Sequence, residues 1–398
     1  MTPSRRLRIC VVAWSGSIGG GEAFAAALAP ALRRCGIDAG MVFVTSGRHR
    51  TDGLRSAGVP VVELGLRRGR QILWHARRLR RAVELTGADG ALVLPGYMAG
   101  TLRLAGYRGA IVAVEHGTVL QLPRLSPPAR LVRRLDFLSG AWAPDAEVAV
   151  SDVVLRRLAQ RPARRPRVRI HHGLELDRYE PAPPPPRDGE LIAGALARLI
   201  PGKGLATLIE ALGRLGPNPG VRLRIGGEGP DRDRLERLAA ALPAGARVEL
   251  VGPVHDPPAF WRGCHVGVAP SDGWIESFGL SPLEAMAVGR PVIVSRAGGL
   301  PEVVGDGTGI LVEPGDAGQL AAALARYRDD PELAAAHGGA GRERCERAFS
   351  MERCAAEYAE LFRRLCPRPG RMLVPAGWRG ARPFDLAPLA PDTETVEA

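Results

Sequence analysis

Short apolar runs alternate with helical patterns along this chain, and one run of four prolines interrupts the alternation. Before the prolines the candidate strands are Leu7–Ala13, Gly40–Thr45, Val59–Leu64, Gly90–Leu94, Ala110–Val114 and Glu147–Val150. Helices fit between them, as in Glu22–Cys35, where Phe24, Leu28 and Leu32 share a face. Strands that are apolar throughout belong to a parallel sheet with helices on both sides. Residues 180–188, with Pro183–Pro186 inside them, can form neither helix nor central strand and read as a stiff interdomain linker. The alternation resumes with Leu191–Ala197, Val221–Ile225, Val248–Val251, His265–Ala269, Pro291–Ser295 and Gly309–Val312. Helices near Leu205–Leu215, Ala317–Arg328 and Met351–Leu365 complete the pattern.

The expected fold class is therefore α/β, with two doubly wound Rossmann-like domains in tandem. The boundaries read as 1–179, a Pro-rich linker at 180–190, a second domain at 191–350 and a C-terminal helix at 351–366 that returns to the first domain. A Pro- and Gly-rich tail at 367–398 is expected to be disordered. Domains of this kind bind ligands in a crevice at the carboxyl ends of their strands.

Bulk properties exclude several classes. No apolar run approaches the ~20 residues that span a bilayer, and Leu7–Val12 is too short for a signal peptide. Six scattered cysteines, with no Cys-x-x-Cys, indicate neither a zinc site nor a disulfide framework, and the reading is a reduced cytoplasmic protein. Residues 1–187 carry 30 Arg against 14 Asp and Glu. Nucleic acid is not the expected partner, because aromatics are 5% and no stacking platform interleaves the arginines. Arg67–Arg81 holds seven arginines around Ile72, Leu73, Trp74 and Leu79. It reads either as a basic amphipathic helix in peripheral contact with the inner membrane surface, or as a solvated face in an arginine-rich protein.

Of 54 Lys and Arg residues, Lys203 is the single lysine. Lysine is a compact point charge where arginine is a wide fork, and a tight phosphate pocket is a place where that difference matters. Lys203 stands in Ala197-Arg198-Leu199-Ile200-Pro201-Gly202-Lys203-Gly204, between a strand and a helix. Two cations and a helix N-terminus would converge there, which suits a diphosphate. Gly19-Gly20-Gly21-Glu22, between the first strand and first helix, is either an anion contact or a plain tight turn. Gly226-Gly227-Glu228-Gly229-Pro230 follows a later strand. In Glu276-Ser277-Phe278-Gly279-Leu280-Ser281-Pro282-Leu283-Glu284 two glutamates flank a loop-to-helix junction. Ser281 reads as an N-cap, with Pro282 at the first helical position, so that Glu284 could be its capping-box partner. Asp231-Arg232-Asp233 imitates a metal motif but reads as helix-capping acids.

These motifs together resemble the family-4 retaining glycosyltransferases of the GT-B fold. The pieces are Gly20-Gly21-Glu22, Arg198 with Lys203-Gly204, Gly227-Glu228-Gly229-Pro230, Glu276-x7-Glu284 with Phe278-Gly279, and Gly298-Gly299-Leu300-Pro301-Glu302, in order, over residues 9–365. The resemblance implies two domains facing across a cleft, with the acceptor site in the first. Arg198 and Lys203 would hold the donor diphosphate, Glu284 the ribose hydroxyls and Glu276 the donor sugar. Backbone groups near Ser277, Phe278, Gly279 and Leu280 would meet sugar and phosphate, as would Gly20 and Gly21 from the other domain, while Gly227 and Gly229 give a further close approach. His116, in Glu115-His116-Gly117-Thr118, would lie beside the transferred sugar; otherwise it is an ordinary polar residue at a strand end. His171-His172-Gly173-Leu174 stands where the family often has Asn-Gly.

The implied reaction is transfer of a sugar from a nucleotide diphosphate sugar, with UDP-sugar the default donor and GDP-mannose next, to a hydroxyl of a small-molecule, glycan or lipid acceptor. Anomeric configuration would be retained, with no cofactor and no essential metal. Two alternatives stand beside it: a sugar-nucleotide epimerase on the same architecture, and a non-catalytic membrane-surface protein with a relic site.

Overall fold

The apolar runs pair into two wholly parallel sheets in the computed structural model, which describes residues 6–15, 20–45, 48–66, 75–96, 98–116, 142–160, 165–185, 189–272 and 276–366. The first sheet contains β1 (Arg8–Ser15), β2 (Asp38–Thr45), β3 (Val61–Glu63), β4 (Gly90–Val93), β5 (Ala110–Glu115), β6 (Ala146–Ala149) and β7 (Arg167–Arg169). Their spatial order is β3-β2-β1-β4-β5-β6-β7. Helices α1 (Gly20–Arg34), α2 (Arg48–Ser56), α3 (Ala76–Leu85) and α4 (Met98–Leu104) connect the first five strands, and α5 (Asp152–Leu158) follows β6. The second sheet contains β8 (Leu191–Leu196), β9 (Val221–Gly226), β10 (Arg247–Gly252), β11 (Val266–Ala269), β12 (Val292–Ser295) and β13 (Gly309–Val312), in the order β10-β9-β8-β11-β12-β13. Its helices are α6 (Leu205–Arg214), α7 (Arg232–Ala240), α8 (Pro257–Arg262), α9 (Leu280–Ala287), α10 (Leu300–Val304), α11 (Ala317–Asp329) and α12 (Pro331–Ala348), and α13 (Met351–Leu365) follows them in the chain.

Burial follows from the apolar strands. β1 lies between β2 and β4, with Val11 opposite Met41 on one side and Leu92 on the other, and all three are fully buried. In the second sheet, Ala193 of β8 pairs with Leu223 and with Val266. Leu208, Ile209 and Leu212 of α6 and Leu320 and Leu324 of α11 cover one core there.

Two elements lacked a sequence signal. β7 is three residues long and two of them are arginine. α12 contains Gly338, Gly339 and Gly341, which weaken a helix in isolation. Packing explains two of them: a Cβ on Gly338 would collide with the Gly289 carbonyl, and Gly341 lies against Met286. The expected tail at 367–398 lies outside the described residues.

The chain divides into two compact units. One comprises the residues to Ala149, Leu158–Ile170 and those from Cys354; the other comprises Val150–Arg157 and His171–Arg353. In the first, Phe362 of α13 packs against Gly90, and Arg363 donates to the Cys35 carbonyl at 2.8 Å. In the second, the proline-rich segment is strapped down by a buried cation. Arg290 is 1% exposed and donates to the carbonyls of Ala182 (2.7 Å), Pro183 (3.0 Å), Arg262 (3.2 Å) and Trp261 (3.3 Å). Two of those carbonyls end α8, where the helix dipole favours a positive charge. His265 Nε2 lies 2.8 Å from the Pro185 carbonyl.

The basic stretch is only partly described, since residues 67–74 lie outside the described residues. α3 places Leu79, Ala82, Val83 and Leu85 in the core of the first unit, and Arg77 and Arg81 are exposed. Its apolar side is therefore used internally, and what it offers outward is charge.

Arg290→Ala leaves buried carbonyls without donors and should destabilise the protein by about 3 kcal/mol. Urea unfolding of the variant measures this; an unchanged midpoint would show that the strap contributes nothing.

Candidate active site

The strand order of the second sheet reverses between β8 and β11, and a doubly wound sheet opens its ligand crevice outside the carboxyl ends of such neighbours. The loop after β8 carries Arg198 and Lys203. The loop after β11 carries Ser271 and, beyond residues 273–275, which lie outside the described residues, Glu276–Gly279. Backbone contacts stitch these loops together. Asp272 N donates to the Gly202 carbonyl at 3.2 Å, and Gly299 N, after β12, donates to the Glu276 carbonyl at 2.9 Å. Gly204 caps α6 in the left-handed region (φ 68°), and a Cβ there would collide with the Pro270 carbonyl.

Side chains converge at the same place. Lys203 Nζ lies 2.5 Å from Glu276 Oε1, and Ser271 Oγ donates to the same oxygen at 2.9 Å. The pair is largely shielded, with 13% and 17% of the two side chains exposed. Lys203, Ser271, Glu276 and Ser281 line a small pocket floored by Ala195 and Val268. Arg198, by contrast, is exposed and has no ion-pair or hydrogen-bond partner for its guanidinium among the described residues.

Glu284 is not a capping-box residue. α9 begins at Leu280, not after Ser281, because Gly279 takes the N-cap with φ 119°, a conformation that a serine would adopt only under strain. Ser281 and Pro282 are the second and third helical residues. Glu284 instead accepts from Tyr179 Oη at 3.1 Å and from Trp261 Nε1 at 3.2 Å. Both donors are buried. Burial and the neighbouring carboxylate raise the Tyr179 pKa far above its ordinary value, so its hydroxyl stays a donor.

A second cluster lies beside the acidic loop. His171 packs on Phe278 and Phe349, each with ring centroids 5.4 Å away, and His172 meets Phe278 edge-on at 5.5 Å. Phe278 is 2% exposed, so the loop that departs from the family's Asn-Gly pattern buttresses the acidic loop. Glu302 accepts from the backbone N–H groups of Asp152 (2.6 Å) and Val153 (2.9 Å), with His171 Nε2 at 3.5 Å. Burial pushes the Glu302 pKa up, but the adjacent His171 ring and the two amides outweigh it and hold the carboxyl below its usual range. Tyr179 and Trp261 carried no sequence signal, while His171 was marked only by the departure from Asn-Gly and Glu302 only by closing a motif.

Gly227 and Gly229 lie in the turn between β9 and α7, which approaches the backbone of Ala197–Leu199 and so supports the Arg198 loop; Leu199 N donates to the Glu228 carbonyl at 2.8 Å. Asp231 occupies the N-cap of α7, but its side chain makes no cap bond and sits 3.5 Å from Arg234. The expected capping by that carboxylate is thus replaced by an ion pair. No group of three or more His, Cys, Asp or Glu side chains among the described residues could hold a metal ion.

In the first unit Gly20 and Gly21 open α1, while Gly19 lies outside the described residues. Nothing stands within 4 Å of a Cβ built on Gly21, so packing does not explain the glycine. His116 follows β5, and burial lowers its pKa from 6.5 to about 4. It is neutral at physiological pH. Between those values the unfolded chain binds a proton that the folded chain refuses, so stability is full above pH 6.5 and falls as pH drops towards 4. The loss should reach about 3 kcal/mol by pH 4 and be smaller in His116→Asn. Urea midpoints at pH 7 and pH 4.5 compare the two proteins; parallel losses would exclude His116 as the cause.

Two wholly parallel α/β domains, one with Lys203, Ser271 and Glu276 meeting at a strand-order reversal, are the architecture of the GT-B fold. The family described as glycosyl transferases group 1 matches residues 179–344. The chain is 33% identical over 300 residues to the GDP-mannose-dependent alpha-(1-6)-phosphatidylinositol monomannoside mannosyltransferase of Mycolicibacterium smegmatis, spanning 69% of this chain and 75% of that protein. It is likewise 33% identical over 288 residues to the putative colanic acid biosynthesis glycosyltransferase WcaL of Escherichia coli K12, spanning 68% of each. Among solved structures, Anabaena HepE in complex with UDP and glucose shares the fold with a TM-score of 0.76 at 21% identity, over 89% of this chain and 99% of that one. The chain belongs to the group 1 glycosyltransferases and is an enzyme that uses nucleotide sugars.

Proposed function

We propose that the protein transfers a hexose from a nucleotide diphosphate sugar to a hydroxyl of a cell-envelope lipid or glycan, with retention of anomeric configuration. The observation that carries this reading is the meeting of Lys203, Ser271 and Glu276 at the β8–β11 reversal, inside the segment that the family matches. A diphosphate arriving there competes with Glu276 for the Lys203 ammonium. Glu276, so released, accepts hydrogen bonds from hydroxyls of the donor sugar, and Glu284, already oriented by Tyr179 and Trp261, accepts from the ribose.

Cleavage of the anomeric C–O bond leaves negative charge on the diphosphate. Arg198, Lys203 and the amide ends of α6 and α9 oppose that charge, which is electrostatic preorganisation for the leaving group. The departing phosphate oxygen takes the proton of the acceptor hydroxyl as that hydroxyl attacks from the same face. Neither a side-chain base nor a metal is required. Configuration rests on the family resemblance, and the anomeric signal of the product by NMR decides it.

For the donor, two relatives at 29% and 33% identity are named GDP-mannose-dependent, which puts GDP-mannose ahead of the UDP-sugar expected from sequence. The same relatives are named for phosphatidylinositol mannoside acceptors and WcaL for colanic acid, which supports an envelope acceptor. Peripheral membrane contact through α3 is retained as an electrostatic one, carried by Arg77 and Arg81. Co-sedimentation with anionic vesicles at low salt and release at ~0.5 M salt is its expected outcome; no binding at low salt removes it.

The principal test is a panel of GDP- and UDP-sugars in thermal shift and donor hydrolysis. One donor should stabilise the wild type, and Lys203→Ala or Arg198→Ala should lower turnover by ~10² to 10³. Turnover should survive EDTA. Stabilisation by no donor, or full activity in Lys203→Ala, would overturn the reading.

A further inference from the structure

Residues Val150–Arg157 belong to the second unit, and a carboxylate of that same unit holds the first amides of its helix α5. α5 begins directly after β6, and Ser151 Oγ accepts from its Val154 N–H at 3.3 Å. The two preceding amides, of Asp152 and Val153, have no acceptor in the helix itself. Glu302 supplies both, one with each carboxylate oxygen, at 2.6 and 2.9 Å. Its side chain is 18% exposed. Charged acceptors on helix-end amides form short, strong bonds, and the dipole adds to them.

The same short helix touches the acidic loop at its other end. Glu302 is the third residue of α10. The turn that opens α10 donates Gly299 N–H to the Glu276 carbonyl at 2.9 Å. A second route runs through rings: His171 Nε2 is 3.5 Å from Glu302 Oε2, and its imidazole packs on Phe278. Five residues of helix thus connect the amides of α5 to the backbone of Glu276 and to the neighbour of Gly279.

We infer that Glu302 is a positioning residue for the donor loop: by clamping the first two amides of α5 it holds α10, and through Gly299 and His171 it fixes Glu276–Gly279. It touches no reacting atom. The clamp needs two acceptors pointing at two donors. A glutamine has one acceptor, and its amide nitrogen would face a backbone N–H donor to donor. An aspartate keeps the charge but is one methylene too short to reach both amides.

The functional half of this inference rests on the proposed glycosyl transfer; the structural half does not. The test is hydrogen exchange by mass spectrometry on Glu302→Gln and Glu302→Asp, with donor KM and kcat measured alongside. Exchange should quicken at least ~10-fold in peptides covering both Asp152–Val154 and Glu276–Gly279, while β12 keeps its wild-type protection. Donor KM should rise ~10-fold with a smaller change in kcat. Ser151→Ala is the control: it should loosen α5 without moving Glu276–Gly279. Loosening of α5 alone in the Glu302 variants, or no loosening, would overturn the inference by reducing Glu302 to a local cap. Should the wild type turn over no donor, the proposed function fails, and the exchange pattern still decides the clamp. Should Glu302→Gln not fold, Glu302→Asp, which keeps the buried charge, carries the same comparison.

Discussion

Backbone contact between the loops that leave β8, β11 and β12 is the constraint on which the donor side of this molecule depends. Where the described parts of these loops meet, carbonyls and amides touch without side chains between them. Gly204 beside Pro270, Asp272 bonded to Gly202 and Gly299 bonded to Glu276 are three forms of one requirement. A side chain at Gly204 would force the loops apart and carry Lys203 away from Ser271 and Glu276. Charge at this site is therefore positioned by main-chain geometry, which is stiffer than any rotamer.

That geometry also accounts for a lysine in a chain otherwise confined to arginine. The Lys203 ammonium reaches a single carboxylate oxygen that a serine hydroxyl already shares. A planar guanidinium seeks two parallel acceptors and more width than this pocket offers. Arg198, on the open side of the same loop, faces no such limit and stands exposed. The two cations differ in chemistry because they differ in surroundings: one is shielded and pre-paired, the other solvated and free to swing onto a ligand.

Much of this was legible in the sequence, and what was not has identifiable causes. Strands such as Ile9–Ala13 and Val292–Ser295 are apolar without alternation, and burial on both faces of a parallel sheet requires that. β7 and α12 run against local propensity and exist through neighbours, a paired strand in one case and the Gly289 carbonyl in the other. The capping reading of Glu284 failed on one residue: a glycine with positive φ starts α9 earlier than serine chemistry suggests. Its true partners, Tyr179 and Trp261, lie 105 and 23 positions away, and Glu302 acts 150 and 149 positions from the amides it holds. Periodicity and motif spacing are local signals and carry no information at such separations.

The three glutamates show how one functional group takes on different duties through its partners. Glu276 is held by an ammonium, which a phosphate can take over because it offers the same cation an equal or greater negative charge. Glu284 accepts from a phenol and an indole, neutral donors that a diphosphate does not attract, so the carboxylate keeps its orientation. Glu302 is held by helix-end amides that no anion can remove without first displacing the helix. Arrival of an anionic ligand would thus release the first, leave the second in place and depend on the third. On the proposed reading, a site ordered in this way would convert the charge of the ligand into movement of one side chain, while Glu284 and Glu302 stay held by their own donors.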